Sequence, residues 1–353
     1  MRKKDSRLTG IKEIARRANI SIGTVDRVIH NRPGVSSKTR DTIIRIIKEM
    51  DYQPNLLGRR LSSNKITHFI TLIPEVSEET SFWEAPLIGI EQAALEIKQY
   101  NIRIEKYFYD QNDKGSFVKE ANKILGKKPD GILLAPSFIE ESINFTERCK
   151  KLNIPYVFID SDIPDQSSLA YIGPDLYQSG YLAANLTRYL IGITDRILIV
   201  NISREIENHH HLLRKEEGFR EYFKEQKLSA KISKIDIREI NYKAVGKGIA
   251  QQLQKHKDIK AIFVTNSKVS TVAHFLKESN NDILLIGYDF IKENIKYLEE
   301  EVINFLICQK PGEQAYKGIM TLYKHTVLNH PVDEVSFMPI DIIMKGNISA
   351  YRN

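Results

Sequence analysis

Cysteine is nearly absent from this chain. Two residues in 353, Cys149 and Cys308, are too few and too far apart for a disulfide scaffold or a zinc site. Both read as buried thiols of a reducing compartment. Long apolar runs are missing too: no stretch of about 18 apolar residues offers a membrane-spanning helix. The opening Met1-Arg-Lys-Lys-Asp-Ser-Arg7 leads into a polar amphipathic segment rather than a signal-peptide core. A soluble cytoplasmic protein without membrane contact is expected. The signatures of catalysis are equally thin. Gly246-Lys-Gly248 lacks the third glycine of a dinucleotide fingerprint. His209-His-His211 has no companion cysteine or carboxylate spacing, and reads as an exposed loop or helix start rather than a metal site. Asp160-Ser-Asp162 imitates a phosphate-enzyme carboxylate pair, yet a ligand-orienting pair at a strand end needs fewer assumptions. The expectation is no enzyme, no metal and no cofactor.

What is present is enough apolar sequence to fold. Hydrophobic residues make up 42% and charged residues 27%, so global disorder is excluded, and the length suits two to three domains. The net charge of +7 is unevenly distributed. Residues 1–65 carry 16 Lys+Arg against 6 Asp+Glu, or +10, leaving 36 against 39, or −3, for residues 66–353. A small basic head on a large, slightly acidic body is the electrostatic footprint of nucleic-acid binding, although a cationic tail or contact with an anionic membrane would share it.

The head has a pattern to match. Ile11, Ile14, Ala15 and Ala18 fall at helical spacing, with Lys12, Glu13, Arg16 and Arg17 opposite. Ser21 can cap a second helix over Ile22–Ile29. Two short helices joined by a tight turn form a helix-turn-helix, whose second helix enters the major groove. Val25, Val28 and Ile29 would pack inward, leaving Ile22, Gly23 and Arg27 toward DNA. Ser36 opens a third helix in which Ile43, Ile44, Ile46 and Ile47 complete the core, and Ser36, Thr39 and Arg40 can donate to phosphates. A helical protein-interaction domain is the alternative, and ten surplus positive charges disfavour it.

From His68 onward, strand candidates alternate with amphipathic helices. The strands are Phe69–Ile73, Ile102–Tyr107, Gly131–Leu134, Tyr156–Ile159, Ile197–Val200, Ala261–Val264 and Ile283–Ile286. Such alternation predicts an α/β fold: parallel, doubly wound sheets with ligands at the carboxyl ends of strands. The length allows two such units facing each other across a cleft. Phe82, Trp83, Ser137, Asp160, Asn266 and Asp289 follow these strand candidates, and Gln309 comes directly after Ile303–Cys308. Aromatic rings beside carboxylates and amides suit a small polyol.

These residues resemble the lactose/galactose-repressor family of bacterial transcription regulators. The headpiece likeness rests on Thr9-Gly-Ile-Lys-Glu-Ile-Ala15, Ser21-Ile-Gly-Thr-Val25, Arg27-Val28, Pro33-Gly-Val-Ser36, Thr39-Arg40 and Tyr52-Gln-Pro-Asn55, in order and spacing. The body likeness, to the type I periplasmic-binding-protein fold, rests on Pro129-Asp-Gly-Ile-Leu133, Ile154-Pro-Tyr-Val-Phe-Ile-Asp160, Gly218-Phe219, Phe263-Val-Thr-Asn266, Ile286-Gly-Tyr-Asp289 and Gln309-Lys-Pro311.

The resemblance implies a three-helix headpiece over residues 1–52, a hinge over 53–65 and a ligand-binding and dimerisation domain over 66–353. That domain divides into subdomains of about 66–173 plus 308–335 and 174–307 plus 336–353. Ile22, Gly23 and Arg27 would sit in the groove, with Thr24, Asn31, Ser36, Thr39, Tyr52 and Asn55 on the backbone. Leu61 matches the family's minor-groove wedge. Phe82, Trp83, Asp160, Asn266, Asp289 and Gln309 would line the cleft, together with Ser137. Lys215 stands where the family has a cleft arginine, with Arg214 beside it, and a lysine lacks the guanidinium fork. Ser161 replaces the arginine of the usual Asp-Arg pair. Asp26 replaces a serine and places a carboxylate beside phosphates or a cytosine amino group. Gly58 replaces the hinge alanine, costing up to about 1 kcal/mol of helix propensity.

The function so implied is a sequence-specific DNA-binding regulator, a repressor, controlled by a sugar or sugar derivative. Its partners would be double-stranded DNA with a pseudo-palindromic operator, a carbohydrate effector and a second copy, since no leucine heptad tail follows. A cytoplasmic sugar-binding receptor without operator-specific regulation is the other reading.

Overall fold

The computed structural model describes residues 10–29, 32–50, 52, 66–77, 81–192, 194–204, 206 and 209–352. Asn31, Asn55, Gly58 and Leu61, to which the sequence assigns DNA or hinge roles, lie outside the described residues. The chain divides into two compact units, residues 1–64 and 65–353.

The first unit contains α1 (Ile11–Ala18), α2 (Ile22–Ile29) and α3 (Ser37–Glu49). Each is too short to persist alone, so a shared core must hold them. Ile14, Ala15, Val25, Val28, Ile43 and Ile46 form that core, with Ile11, Ala18, Ile29, Ile47 and Tyr52 packed around it. Ile44 departs from the expectation: it is 39% exposed, because the stripe through Ile43 and Ile46 turns it outward. The Ser21 Oγ accepts from the Thr24 N–H at 3.1 Å. Ser36 caps α3 in the same way, accepting from the Thr39 N–H at 3.3 Å. Each cap is worth about 1 kcal/mol.

The second unit holds two six-stranded sheets. The first lobe takes β1 (Thr67–Pro74), α4 (Glu84–Ile97), β2 (Ile102–Tyr109), α5 (Lys114–Lys127), β3 (Gly131–Leu134), α6 (Ile139–Lys151), β4 (Tyr156–Ile159) and β5 (Ala170–Gly173). The chain then crosses and builds the second lobe from α7 (Leu176–Leu190), β6 (Arg196–Ile202), α8 (His210–Glu225), β7 (Lys231–Ile237), α9 (Tyr242–Lys255), β8 (Ile259–Val264), α10 (Val269–Glu278), β9 (Leu284–Tyr288), α11 (Lys292–Glu299) and β10 (Phe305–Cys308). It returns with α12 (Pro311–Thr326) and β11 (Val335–Phe337), and crosses a third time to β12 (Asp341–Ile343). Strand order is β11-β5-β4-β3-β1-β2 in one sheet and β12-β10-β9-β8-β6-β7 in the other. All pairings are parallel except β10 with β12.

The return crossings differ from those expected. Cys308 ends a strand of the second lobe, and β11 pairs with β5 of the first, so the last crossing falls at residues 338–340 rather than at 335/336. Parallel strands covered on both faces must be apolar throughout. β3, β4 and β5 are buried at every position, and both thiols, Cys149 and Cys308, lie in cores.

The two lobes repeat one design, which also fixes the site. In each, the helix after the first strand lies against the helix that enters from the other lobe: α4 on α12, and α8 on α7. Both pairs meet backbone to backbone. A Cβ on Gly89 would fall 2.0 Å from the Gly312 carbonyl oxygen; one on Gly180 would fall 1.9 Å from that of Lys215. By the same repeat β4 corresponds to β9, so Asp160 and Asp289 occupy equivalent strand ends. Both adopt left-handed backbone, with φ of 67° and 74°, a conformation that aspartate tolerates better than most residues other than glycine and asparagine.

Candidate functional site

In the first unit, the outward face of α2 presents Ile22, 49% exposed, with exposed Gly23 and Arg27, while Val25 and Val28 are buried. Thr24 is half-buried, its hydroxyl 2.9 Å from Ser21 Oγ. Ser36 is exposed and Thr39 half-buried at the start of α3, their hydroxyls 2.8 Å apart. Tyr52 is half-buried against the core. Asp26 pairs with Arg32 at 3.2 Å on the protein surface. One carboxylate behaves differently from expectation. Glu13, placed by periodicity on the polar face, is buried and accepts from Arg16 at 2.7 Å and Arg17 at 3.0 Å. Those hydrogen bonds hold its carboxyl at about 2, so it stays ionised and is shared by two of the head's cations.

In the second unit, the strand ends of both lobes converge on a cleft of about 660 Å³, counting its open mouth. Eight of the nine residues expected in a ligand site line it: Phe82, Trp83, Ser137, Asp160, Lys215, Asn266, Asp289 and Gln309. Arg214 does not. It lies 5.2 Å over the Tyr177 ring and pairs with Glu217 on the outer face of α8, since neighbouring helical residues point about 100° apart.

The first lobe supplies the aromatic wall. Phe82 and Trp83 meet edge to face with centroids 5.0 Å apart, a contact worth about 0.5–1.5 kcal/mol beyond burial. The indole Nε1 donates to Gln111 Oε1 at 3.3 Å. Asp160 is placed by its backbone N–H, which donates to Gln314 Oε1 at 2.9 Å, while Gln314 Nε2 donates to the Gln309 carbonyl at 2.7 Å. One buried glutamine of α12 thus ties two ligand-facing strand ends together. Asn294, fully buried, does the same in the second lobe: its Nδ2 donates to the carbonyls of Ser267, Tyr288 and Asp289 at 2.9–3.0 Å. The Asn266 amide is spent on its own turn, donating to Ile202 O at 2.7 Å and accepting from the Lys268 N–H at 3.2 Å.

The electrostatic centre is a buried lysine between carboxylates of opposite lobes. Lys215 Nζ sits 3.7 Å above the Tyr288 ring, a cation–π contact strengthened by desolvation. Burial lowers its pKa, while Asp289 and Asp160 oppose that. Burial pushes Asp160 up to about 6 and Asp289 to about 7, and Lys215 holds both back. Each lobe brings one carboxylate, and Lys215 lies in the field of both.

Sequence reasoning missed His209 and His211, which line the cleft. His209 precedes α8 and is buried, not exposed, with its ring 6.1 Å from Phe138 of the opposite lobe. Burial holds His211 well below the usual histidine range, so it is neutral. Three consecutive histidines in a polar segment signalled a surface; only the fold turns two inward. Among the described residues no group of three His, Cys, Asp or Glu side chains is arranged to hold a metal, and no helix is long and apolar enough to cross a membrane.

Fold and site together define a two-lobed ligand-binding body of the periplasmic-binding-protein type, joined to a helix-turn-helix headpiece. The periplasmic binding protein domain model matches residues 70–328, and the model for bacterial regulatory proteins of the lacI family matches residues 10–55. Catabolite control protein A of Priestia megaterium is 28% identical over 284 residues, covering 79% of this chain and 82% of its own. The HTH-type transcriptional regulator MalR of Streptococcus pneumoniae is 24% identical over 302 residues, covering 84% and 88%. Among solved structures, a putative LacI transcriptional regulator from Bacteroides fragilis is 30% identical with a TM-score of 0.74, covering 82% of this chain and all of that one. The chain belongs to the lacI family of bacterial regulatory proteins, DNA-binding regulators of transcription.

Proposed function

We propose that this regulator is a repressor that works as a homodimer on a two-fold symmetric operator, and that a carbohydrate in the cleft sets its operator affinity. The observation that carries the effector reading is the pairing of an aromatic wall, Phe82 and Trp83, with acceptors from both lobes, Asp160 and Asp289. A ring with an apolar face and a hydroxylated edge satisfies both. Arg27, Ile22 and Gly23 read the major groove, while Thr24, Ser36 and Thr39 fix the head on the backbone.

The dimer is supported by apolar surface on α4. Ile88 and Leu95, seven residues apart on one helix face, are 56% and 73% exposed, and β2 beside them leaves Phe108 38% exposed. Apolar side chains left exposed on a helix and its neighbouring strand suit burial against a second copy. Closure of the cleft moves one lobe against the other and biases the arrangement of the two heads, which is the coupling of two sites that allostery requires. The regulator binds its ligand without turning it over, and acts in the cytoplasm, where its DNA is. Gel-shift titration of operator fragments with neutral monosaccharides tests this reading, with a saturable, ligand-dependent change in operator affinity expected. Binding that never distinguishes one sequence from another, with or without sugar, would refute it.

A further inference from the structure

We infer that the floor of the cleft selects an uncharged ligand rich in hydrogen-bond donors, and rejects the phosphorylated or carboxylated forms of the same sugar, because the floor is built of acceptors. This rests on the carbohydrate reading above and narrows it.

The polarity follows from bonds inside the protein. Tyr109 Oη lies 2.6 Å from the Ala135 carbonyl and 2.7 Å from Ser137 Oγ. A phenol has one proton, and a carbonyl can only accept, so Tyr109 donates to Ala135 and Ser137 must donate to Tyr109. Ser137 is left with lone pairs for the cleft. Gln309 is fixed by the same logic. Its Nε2 donates to Asp289 Oδ1 at 3.1 Å, which sets the amide orientation. Its Oε1 is then an acceptor, buried in a residue only 3% exposed, and it has no hydrogen-bond partner. A buried acceptor left unpaired is costly, and a ligand donor offsets that cost. Asp160 and Asp289 add carboxylate oxygens from each lobe.

Positive charge does not reverse this polarity. Lys215 faces two carboxylates and rests on the Tyr288 ring, so its charge is answered inside the protein. His211 is neutral. Lys268 also lines the cleft, so two ammoniums match the two carboxylates in number, and the uncharged acceptors of Ser137 and Gln309 set the polarity of the floor. A phosphate or carboxylate on the floor would set its oxygens against lone pairs of Ser137, Gln309 and the two aspartates. A site built to pair with a hydroxyl discriminates strongly against a group that cannot donate.

The test is isothermal titration of the full chain at pH 7.5 with matched probes: glucose and galactose, each against its 6-phosphate and its uronic acid. The neutral member of at least one set is expected to bind, with its charged forms weaker by about 100-fold or more. Equal or tighter binding of a charged form overturns the inference while leaving the carbohydrate reading intact. No binding of any member overturns the carbohydrate reading, and this inference with it. In parallel, Gln309→Leu is expected to cost the neutral sugar at least about tenfold in affinity, with the melting temperature of the ligand-free protein unchanged or raised. A lowered melting temperature with undiminished affinity would make Gln309 a structural residue and refute its role as the selecting acceptor.

Discussion

Ser81 Oγ donates a 2.8 Å hydrogen bond to Glu293 Oε2, joining residues 212 positions apart across the two lobes. Beside it, Lys292 Nζ lies 3.5 Å from Glu84 Oε1. On another flank His210 Nδ1 lies 3.6 Å from Asp162 Oδ1. None of these six residues lines the cleft, so the Ser81–Glu293 and Lys292–Glu84 contacts stabilise closure without touching ligand. Ser81→Ala combined with Lys292→Glu removes about 1–2 kcal/mol of closure energy, a hydrogen bond plus a surface pair. Ligand affinity is expected to fall roughly 5- to 30-fold by calorimetry, with the melting temperature of the free protein nearly unchanged. An unaltered affinity would show that closure does not depend on these contacts.

Gly180→Ala tests the link between packing and site. Its Cβ would fall 1.9 Å from the carbonyl oxygen of Lys215 itself. Backbone cannot yield as a flexible side chain does, so α7 and α8 must separate. The expected cost is about 1–3 kcal/mol in denaturant unfolding. Ligand binding should weaken beyond what stability predicts, because the displaced residue is the one that carries the cleft ammonium.

The raised carboxyls give a pH signature. Folding lifts Asp289 from 3.8 to about 7 and Asp160 from 3.8 to about 6. Protons are therefore bound more tightly in the folded state, and this contribution is complete below pH 3.8 and lost as pH rises through 6 and 7. His211 runs the other way: its lowered pKa gives a contribution present above 6.5 and lost at lower pH. The difference between the parent and Asp289→Asn isolates the carboxyl. The parent's stability relative to this variant should decline between pH 5 and pH 8, read from urea unfolding of the ligand-free protein. A difference that is flat across that window would remove Asp289 from the account.

Arg27→Ala should relax base preference by about 1–3 kcal/mol if its guanidinium reads a base edge, while binding to random duplex changes little. Footprinting against operator variants measures this. The headpiece carries ten surplus charges in residues 1–65, so the parent's affinity should fall steeply with salt. A uniform loss over all sequences would instead assign Arg27 to phosphate.

Much of this was legible in the sequence where periodicity was strong. The three short helices, the interior strands and seven cleft residues follow from apolar spacing and from side chains placed after strands, while Lys215 came from the family resemblance. What was hidden depends on partners distant in sequence. β7, Lys-Ile-Ser-Lys-Ile-Asp-Ile, is an edge strand whose charged face disguises it; β5 and β11 are short, and β11 pairs only after a return crossing. Arg214 and Lys215 were inseparable as neighbours, since only helix phase decides which enters. His209 and His211 look like surface residues until α8 is docked beside Phe138. Gln314 and Asn294 carry no local mark of their role: each earns it through hydrogen bonds to loops of other elements.

The central claim is that ligand in the cleft governs operator binding by the head. The most direct measurement is operator affinity by fluorescence anisotropy, with and without the sugar that calorimetry identifies, for the parent and for Asp289→Asn. A change of about 5- to 150-fold on saturation is expected for the parent, and little or none for the variant. Equal affinity of the parent with and without bound sugar would contradict the account.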